Sequence, residues 1–257
     1  MRLDERLNEE TKRPPIVGWN LTIYPDAREA AGRFLATVDT WEGRRGSPGE
    51  SKDPERSRQV AASRARATLR RYCAANRLNR FGGLTYAGVG CHDPLQLRSD
   101  LAEFFRNIRS LLGGKPIPYV WVPEWHKTDH GLHAHFAFAR YVRRSLIEEA
   151  WGHGIFKIKL LGDLPVGSSG LDEARRAGVY MAKYVGKDFD HDHLIGLHRY
   201  EVAQGFQPRK VVVNGPTLGK AYARACEVMG GHPVKCSTSD QWPGWAGPSA
   251  VAMSWDS

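Results

Sequence analysis

The chain has 257 residues, of which 41% are hydrophobic and 25% charged, a composition typical of globular proteins and not of disordered or fibrous ones. Its 37 lysines and arginines exceed its 28 acidic residues, giving a formal net charge of +9 that favours a polyanionic partner such as nucleic acid. The sequence contains no apolar run of about 18 residues, no signal-peptide core and no CxxC pair, so we expect a cytoplasmic protein without a membrane partner.

The first 55 residues are predicted to form an N-terminal extension and a linker. Residues 19–24 are predicted to form a strand, and residues 26–39 a helix opened by a Pro-Asp pair. Residues 42–55 are rich in glycine, serine, proline and charge, which is the composition of a linker or mobile loop.

Residues 56–76 are predicted to form a helix that carries a dense run of arginines, among them Arg64, Arg66, Arg70 and Arg71. A solvated helix face usually mixes charge signs, whereas Glu55 is the only acid between residues 55 and 76. We interpret this helix as a phosphate-binding element, and an ordinary solvated helix is the alternative.

Strands and helices then alternate in a regular order. Strands are predicted at residues 81–88, 119–126, 132–139 and 154–161, and helices at residues 95–112, 143–151 and 171–185. This order predicts an α+β fold in which helices pack on one face of a central antiparallel sheet. We expect one domain over residues 56–230, ending in a short strand and a helix, and a C-terminal tail over residues 231–257.

A candidate metal site lies on the second and third of these strands. Alternate side chains of a strand share a face, so the apolar residues of 132–138 point to one side while His133 and His135 point together to the other. Glu124, on the preceding strand, can supply a third ligand, and His126 is a spare candidate. Two imidazoles and one carboxylate with open positions are typical of catalytic metal sites. The alternative is an incidental histidine pair on a solvated face.

Two further motifs are predicted to carry no chemistry of their own. His191 and His193 form a second pair, but an acid lies between them and no apolar residues flank them, so we predict a polar loop. A supporting role beside the metal is the alternative. Residues 215–221 are one residue too short for a phosphate-binding loop and lack its Ser or Thr, so no nucleotide cofactor is expected.

A second candidate cluster lies at the end of the last helix of this series. Tyr180, Tyr184 and Lys187 are four and three residues apart, a spacing that places them on one helix face, and Lys183 lies beside them. A phenol has a pKa of about 10, so it becomes a nucleophile where a metal or lysine stabilises its charge. The alternative is amphipathic tyrosine packing at the rim of the core.

The histidine strand and the tyrosine helix, in this order, resemble those of HUH endonucleases. The resemblance is specifically to the rolling-circle replication initiators of small plasmids and single-stranded DNA phages. Three motifs carry it: residues 83–86, residues 133–135 with Glu124 upstream, and residues 182–188. It spans about residues 64–189 and implies an HUH palm, similar to an RRM sheet, within the predicted domain.

The resemblance implies a DNA-nicking and strand-transfer enzyme. Tyr184 would be the primary nucleophile, with Tyr180 as a second nucleophile or an accessory and Lys183 and Lys187 stabilising charge. The attack would form a 5′-phosphotyrosine on single-stranded origin DNA and free a 3′-OH.

The resemblance also implies a cofactor and partners. His133, His135 and Glu124 would hold Mg²⁺ or Mn²⁺. The expected DNA contacts are Arg64, Arg66, Arg70, Arg71, Thr85 and Tyr86. The sequence encodes no helicase, so a host helicase and DNA polymerase are the expected partners. Three alternatives stay open: an inactive DNA-binding regulator on the same fold, an HUH transposase, and a metallohydrolase that leaves no covalent adduct.

Overall fold

The structure, a computed structural model, describes residues 17–36, 53–160, 168–186 and 198–256. The chain divides into two compact units. One combines Met1–Ser51 with Arg209–Asp256, and the other is Lys52–Pro208. None of the described helices is long and apolar enough to cross a membrane.

The described residues contain ten strands and five α-helices. The strands are β1 (Gly18–Tyr24), β2 (Glu29–Leu35), β3 (Arg80–Tyr86), β4 (Tyr119–Trp125), β5 (Leu132–Phe138), β6 (Gly154–Leu160), β7 (Glu201–Val202), β8 (Val211–Gly215), β9 (Lys235–Thr238) and β10 (Ala250–Ser254). The helices are α1 (Pro54–Ala75), α2 (Pro94–Leu111), α3 (Arg144–Trp151), α4 (Gly170–Ala182) and α5 (Leu218–Met229). Single turns of 3-10 helix occur at Pro25–Ala27, Tyr184–Gly186 and Ser239–Gln241.

The unit of residues 52–208 is built on an antiparallel sheet with the strand order β6–β3–β5–β4–β7. Strand β5 lies in the middle of this sheet. Leu132, Ala134, Phe136 and Phe138 alternate along β5 and are buried on one face, as the sequence pattern predicts. The intervening histidines therefore face the other side.

Helices cover both faces of this sheet. On one face, Phe104 of α2 and Trp151 of α3 pack with Phe136. On the other face, Tyr72 of α1 and Met181 of α4 lie in a second apolar cluster. The α+β class and the antiparallel sheet are confirmed, but the expected packing on one face is corrected. The physical reason is that α1, despite its arginines, buries its C-terminal half against the sheet.

Helices α1 and α4 approach each other closely at Gly178. A Cβ atom at this position would lie 3.1 Å from the Cα of Arg70 and 3.1 Å from the Cβ of Cys73. The absent side chain of Gly178 therefore sets the spacing of the two helices. Since Tyr180 follows two residues later, the same contact fixes where the tyrosine end of α4 lies.

The other unit is a second antiparallel sheet, with the strand order β8–β1–β2–β10–β9. Helix α5 packs against it. The core of this unit contains Leu21, Ile23, Ala225, Met253 and Trp255.

The structure corrects two expectations about this unit. Residues 26–39, predicted as a helix, contain strand β2, because the Pro25–Ala27 turn and the left-handed Arg28 (φ 56°) reverse the chain into a hairpin with β1. The units also divide differently from the predicted boundaries at residues 55 and 230. The predicted tail forms β9 and β10, because the alternating side chains of β10 enter the core.

Candidate active site

Glu124, His133 and His135 converge on one point of the sheet surface. Glu124 on β4 lies directly opposite His133 on β5. One glutamate oxygen, Oε2, lies 2.7 Å from Nε2 of His135 and 3.1 Å from Nε2 of His133, and the two Nε2 atoms are 3.3 Å apart. All three side chains are 14% exposed, so they are shielded from bulk water but can be reached from it.

These donor atoms fit a divalent cation. Two ligand atoms about 2.1 Å from an ion and at right angles to each other are about 3.0 Å apart. The separations of 2.7 to 3.3 Å match that arrangement. Within the described parts of the chain, this is the group of His, Cys, Asp or Glu side chains with metal-binding spacing. Three donors on one side of an ion leave positions for water or a substrate oxygen.

The spare candidate His126 lies beside this triad and outside it. Its ring centroid is 5.4 Å from that of His133. Its Nδ1 atom accepts hydrogen bonds from the hydroxyl and the amide of Thr128, at 2.7 and 3.3 Å, so the ring closes the β4–β5 turn.

Tyr184 stacks on the triad. It begins the 3-10 turn that follows α4, and its ring lies on that of His135 with 3.8 Å between centroids and 29° between planes. Tyr180 is close, with its ring centroid 5.6 Å from that of Tyr184. Burial raises the pKa of Tyr184 above its usual value, and a hydrogen bond with Tyr180 raises it further. The phenol is therefore protonated at neutral pH, and a negative charge on its oxygen requires a neighbouring cation.

Phe81 is a site residue that the sequence reasoning missed. It is 6% exposed and lies among three functional rings. Its centroid is 5.4 Å from that of His135, 4.7 Å from Tyr180 and 6.4 Å from Tyr184. The alternation of β3, which places Phe81 on the same face as Thr85, was the available signal. We refer to Phe81, His135, Tyr180 and Tyr184 as the aromatic cluster.

The predicted lysines have different outcomes. Lys183 is exposed, and its ammonium lies over the ring of Tyr180, 5.4 Å from the centroid. Lys187 lies outside the described residues, as do His191 and His193.

The predicted DNA contacts divide into two groups. Thr85 lies on the histidine face, opposite His133. Tyr86 is placed elsewhere: its side chain enters the opposite core, where its hydroxyl donates a 2.7 Å hydrogen bond to Asp100. The prediction for Tyr86 is corrected, because adjacent residues of a strand face opposite sides. On α1, three of the predicted arginines are exposed and the fourth is partly buried: Arg64, Arg66, Arg70 and Arg71, in that order.

A cavity of about 430 Å³ opens on this face of the sheet. It extends from the two histidines across β3 to β6. Its lining includes Gly83, Thr85, His133, Ile155, Lys157 and Tyr180. The triad therefore lies in the wall of a cleft with room for a substrate.

A family model described as replication-associated protein ORF2 matches residues 79–189. The matched segment extends from the residue before β3 to beyond α4, so it contains the triad and both tyrosines. No curated protein and no solved structure matches the chain. The resemblance to replication initiators is confirmed over this segment.

Proposed function

We propose, from the match of residues 79–189 to replication-associated proteins, that this chain initiates rolling-circle replication by nicking single-stranded origin DNA. One observation supports this most strongly: the ring of Tyr184 lies 3.8 Å from that of His135. A phenol that can attack phosphorus is thus adjacent to two imidazoles and a carboxylate that can hold a cation.

The proposed reaction exchanges one phosphate ester for another. Glu124, His133 and His135 would hold Mg²⁺ or Mn²⁺, and a bound ion supplies charge stabilisation to a non-bridging oxygen of the scissile phosphate. Tyr184 attacks the phosphorus through its hydroxyl oxygen as the bond to the 3′ oxygen breaks. The phenol loses its proton and the 3′ oxygen gains one, which leaves a 5′-phosphotyrosine and a 3′-OH. The exchange consumes no nucleotide.

Tyr180 is proposed to carry the second transfer that ends a replication round. Its hydrogen bond with Tyr184 brings the two hydroxyls together. Lys183, over the Tyr180 ring, adds a positive charge that favours an ionised phenol. Lys187 remains proposed as a further source of positive charge.

The substrate and partners follow from the same proposal. The exposed arginines of α1, Arg64, Arg66 and Arg70, would contact DNA phosphates together with Arg71, and Thr85 would contact the strand in the cleft. The freed 3′-OH is a primer, so a host DNA polymerase and helicase are the proposed partners, in the cytoplasm.

The test is trapping of the covalent intermediate. Single-stranded oligonucleotides that cover candidate origins are incubated with the protein and Mn²⁺, and the DNA-linked peptide is located by mass spectrometry. Tyr184→Phe should abolish the adduct while DNA binding persists, because only the nucleophilic oxygen is removed. Tyr180→Phe is the matched control and should still form the first adduct.

Two outcomes would contradict the assignment. An adduct that survives in Tyr184→Phe and disappears in Tyr180→Phe would reverse the roles of the tyrosines. Cleavage by the wild-type protein without any DNA-linked peptide would indicate hydrolysis by a metallohydrolase.

A further inference from the structure

Three neighbouring strands form a continuous row of side chains beside the triad. Gly83 on β3 lies opposite His135 on β5 and, on its other side, opposite Lys157 on β6. Residues that pair in antiparallel strands face the same side of the sheet. The imidazole, the glycine and the lysine therefore share the face that carries the cleft.

An adjacent row has the same layout. Ile155 on β6 lies opposite Thr85, which lies opposite His133. Ile155 is 63% exposed, and both Ile155 and Lys157 line the 430 Å³ cavity. The β6 side of the cleft thus offers one apolar surface and one cation, and neither residue was singled out from the sequence.

Gly83 leaves a gap in the middle of the first row. A Cβ atom there would lie 3.8 Å from the carbonyl oxygen of Ala134 and 3.8 Å from Nδ1 of His135, which are ordinary contacts. Backbone packing therefore does not require glycine at this position. Since neighbouring strands are about 4.8 Å apart, the backbones of His135 and Lys157 are about 10 Å apart across the gap.

We infer that the surface between His135 and Lys157 binds the nucleotide next to the scissile phosphate. In this assignment, the ammonium of Lys157 binds the flanking backbone phosphate, the sugar lies over Gly83, and Ile155 packs against the base. Lysine suits this role because it is a compact point charge that binds phosphate without a fixed geometry. The inference rests on the proposed function, since it takes the phosphate at the triad to be the one cleaved.

The test combines salt dependence with a matched lysine control. Binding of a single-stranded origin oligonucleotide is measured by fluorescence anisotropy at several salt concentrations. Lys157→Gln should reduce the slope of log K against log salt by about 0.7, the value for one lost phosphate contact on a single strand. Lys157→Arg should keep the slope. Lys115→Gln removes the same charge from an exposed lysine between α2 and β4 and should change the slope little.

A modified oligonucleotide identifies the phosphate. When the phosphate that flanks the scissile one is replaced by an uncharged methylphosphonate, the wild-type protein should lose affinity. Lys157→Gln should lose little more, because both changes remove the same contact. An unchanged slope in Lys157→Gln, or equal losses in Lys157→Gln and Lys115→Gln, would overturn the inference and indicate an edge-strand lysine that only keeps β6 soluble.

Gly83→Val tests the gap itself. The β-branched side chain suits a strand and has space beside it, so the thermal unfolding temperature should stay close to that of the wild type. Binding of the oligonucleotide should weaken, because the side chain fills the cleft. Unchanged affinity would contradict the assignment of Gly83.

Failure of the inference and failure of the proposed function can be separated. A wild-type protein that forms the adduct while Lys157→Gln behaves like it would refute the inference alone. A wild-type protein that forms no adduct would refute the proposed nicking, and the salt slopes would still decide whether Lys157 contacts DNA.

Discussion

The aromatic cluster couples the triad to both tyrosines through a single apolar ring. Phe81 contacts His135, Tyr180 and Tyr184, and it is buried. Aromatic pairs of this kind contribute about 0.5–1.5 kcal/mol beyond the burial of their surface. Phe81 therefore acts as a positioning residue that limits the ring orientations open to its neighbours.

Phe81→Leu should slow adduct formation more than it destabilises the fold. Leucine keeps the burial, so we expect the free energy of unfolding to fall by about 1 kcal/mol. The rate of adduct formation should fall by about 10- to 100-fold, because a tyrosine displaced by about 1 Å loses its alignment. Single-turnover assays at saturating DNA measure that rate, and chemical denaturation measures the stability.

Phe138→Leu is the matched control for this change. Phe138 is fully buried on the opposite face of the sheet, so its loss lowers stability without touching the aromatic cluster. Equal adduct rates in the two variants would mean that Phe81 has a structural role only.

The sequence identifies site residues well where the signal is local. The alternation of β5 is a property of one strand, and it placed His133 and His135 together correctly. Tyr86 failed because its motif was assigned as a block, although strand alternation alone separates it from Thr85. Phe81 failed for another reason: its partners His135 and Tyr184 are far along the chain, and an apolar residue in a strand carries no signal of long-range contacts.

At the scale of elements, the contact between α1 and α4 determines how the tyrosines reach the sheet. The sequence predicted both helices, but it carried no signal that Gly178 of α4 packs on Arg70 of α1. Helix packing depends on which residues are absent as much as on which are present, and a lone glycine within a helix pattern is ambiguous.

Gly178→Val should destabilise the protein through this contact. Its Cβ would lie 3.1 Å from two atoms of α1, so the helices must separate, at an expected cost of about 1–3 kcal/mol in the free energy of unfolding. Adduct formation should also slow, because α4 carries the tyrosines. Denaturant unfolding and the adduct assay measure these effects.

Gly170→Val provides the comparison at the start of the same helix. No atom lies within 4 Å of a Cβ built at Gly170, so this variant should retain both stability and adduct formation. Similar losses in the two variants would show that valine harms α4 by itself, independently of its contact with α1.

At the scale of the whole molecule, metal binding should be linked to unfolding. Glu124 and His133 lie on different strands, so the triad exists only when the sheet is formed. A ligand that binds only the folded state stabilises it by about 2.7 kcal/mol at 100 times its dissociation constant. Mn²⁺ should therefore raise the unfolding temperature of the wild-type chain.

His133→Ala combined with His135→Ala should remove this shift, and EDTA should reverse it in the wild type. Thermal unfolding followed by circular dichroism, with and without Mn²⁺, measures the effect. The adduct should disappear under the same conditions. Undiminished nicking in EDTA would contradict a metal role for the triad.

The two halves of the proposed chemistry are held with different rigidity. His133 and His135 lie on β5, which is hydrogen-bonded to a strand on each side. Tyr184 instead begins a single 3-10 turn beyond the end of α4. After attack, the phenol joined to DNA can swing aside by a change in a few backbone torsions, while the cation seat keeps its shape. The vacated space is then open to Tyr180, so one anchored ion can serve two successive ester exchanges.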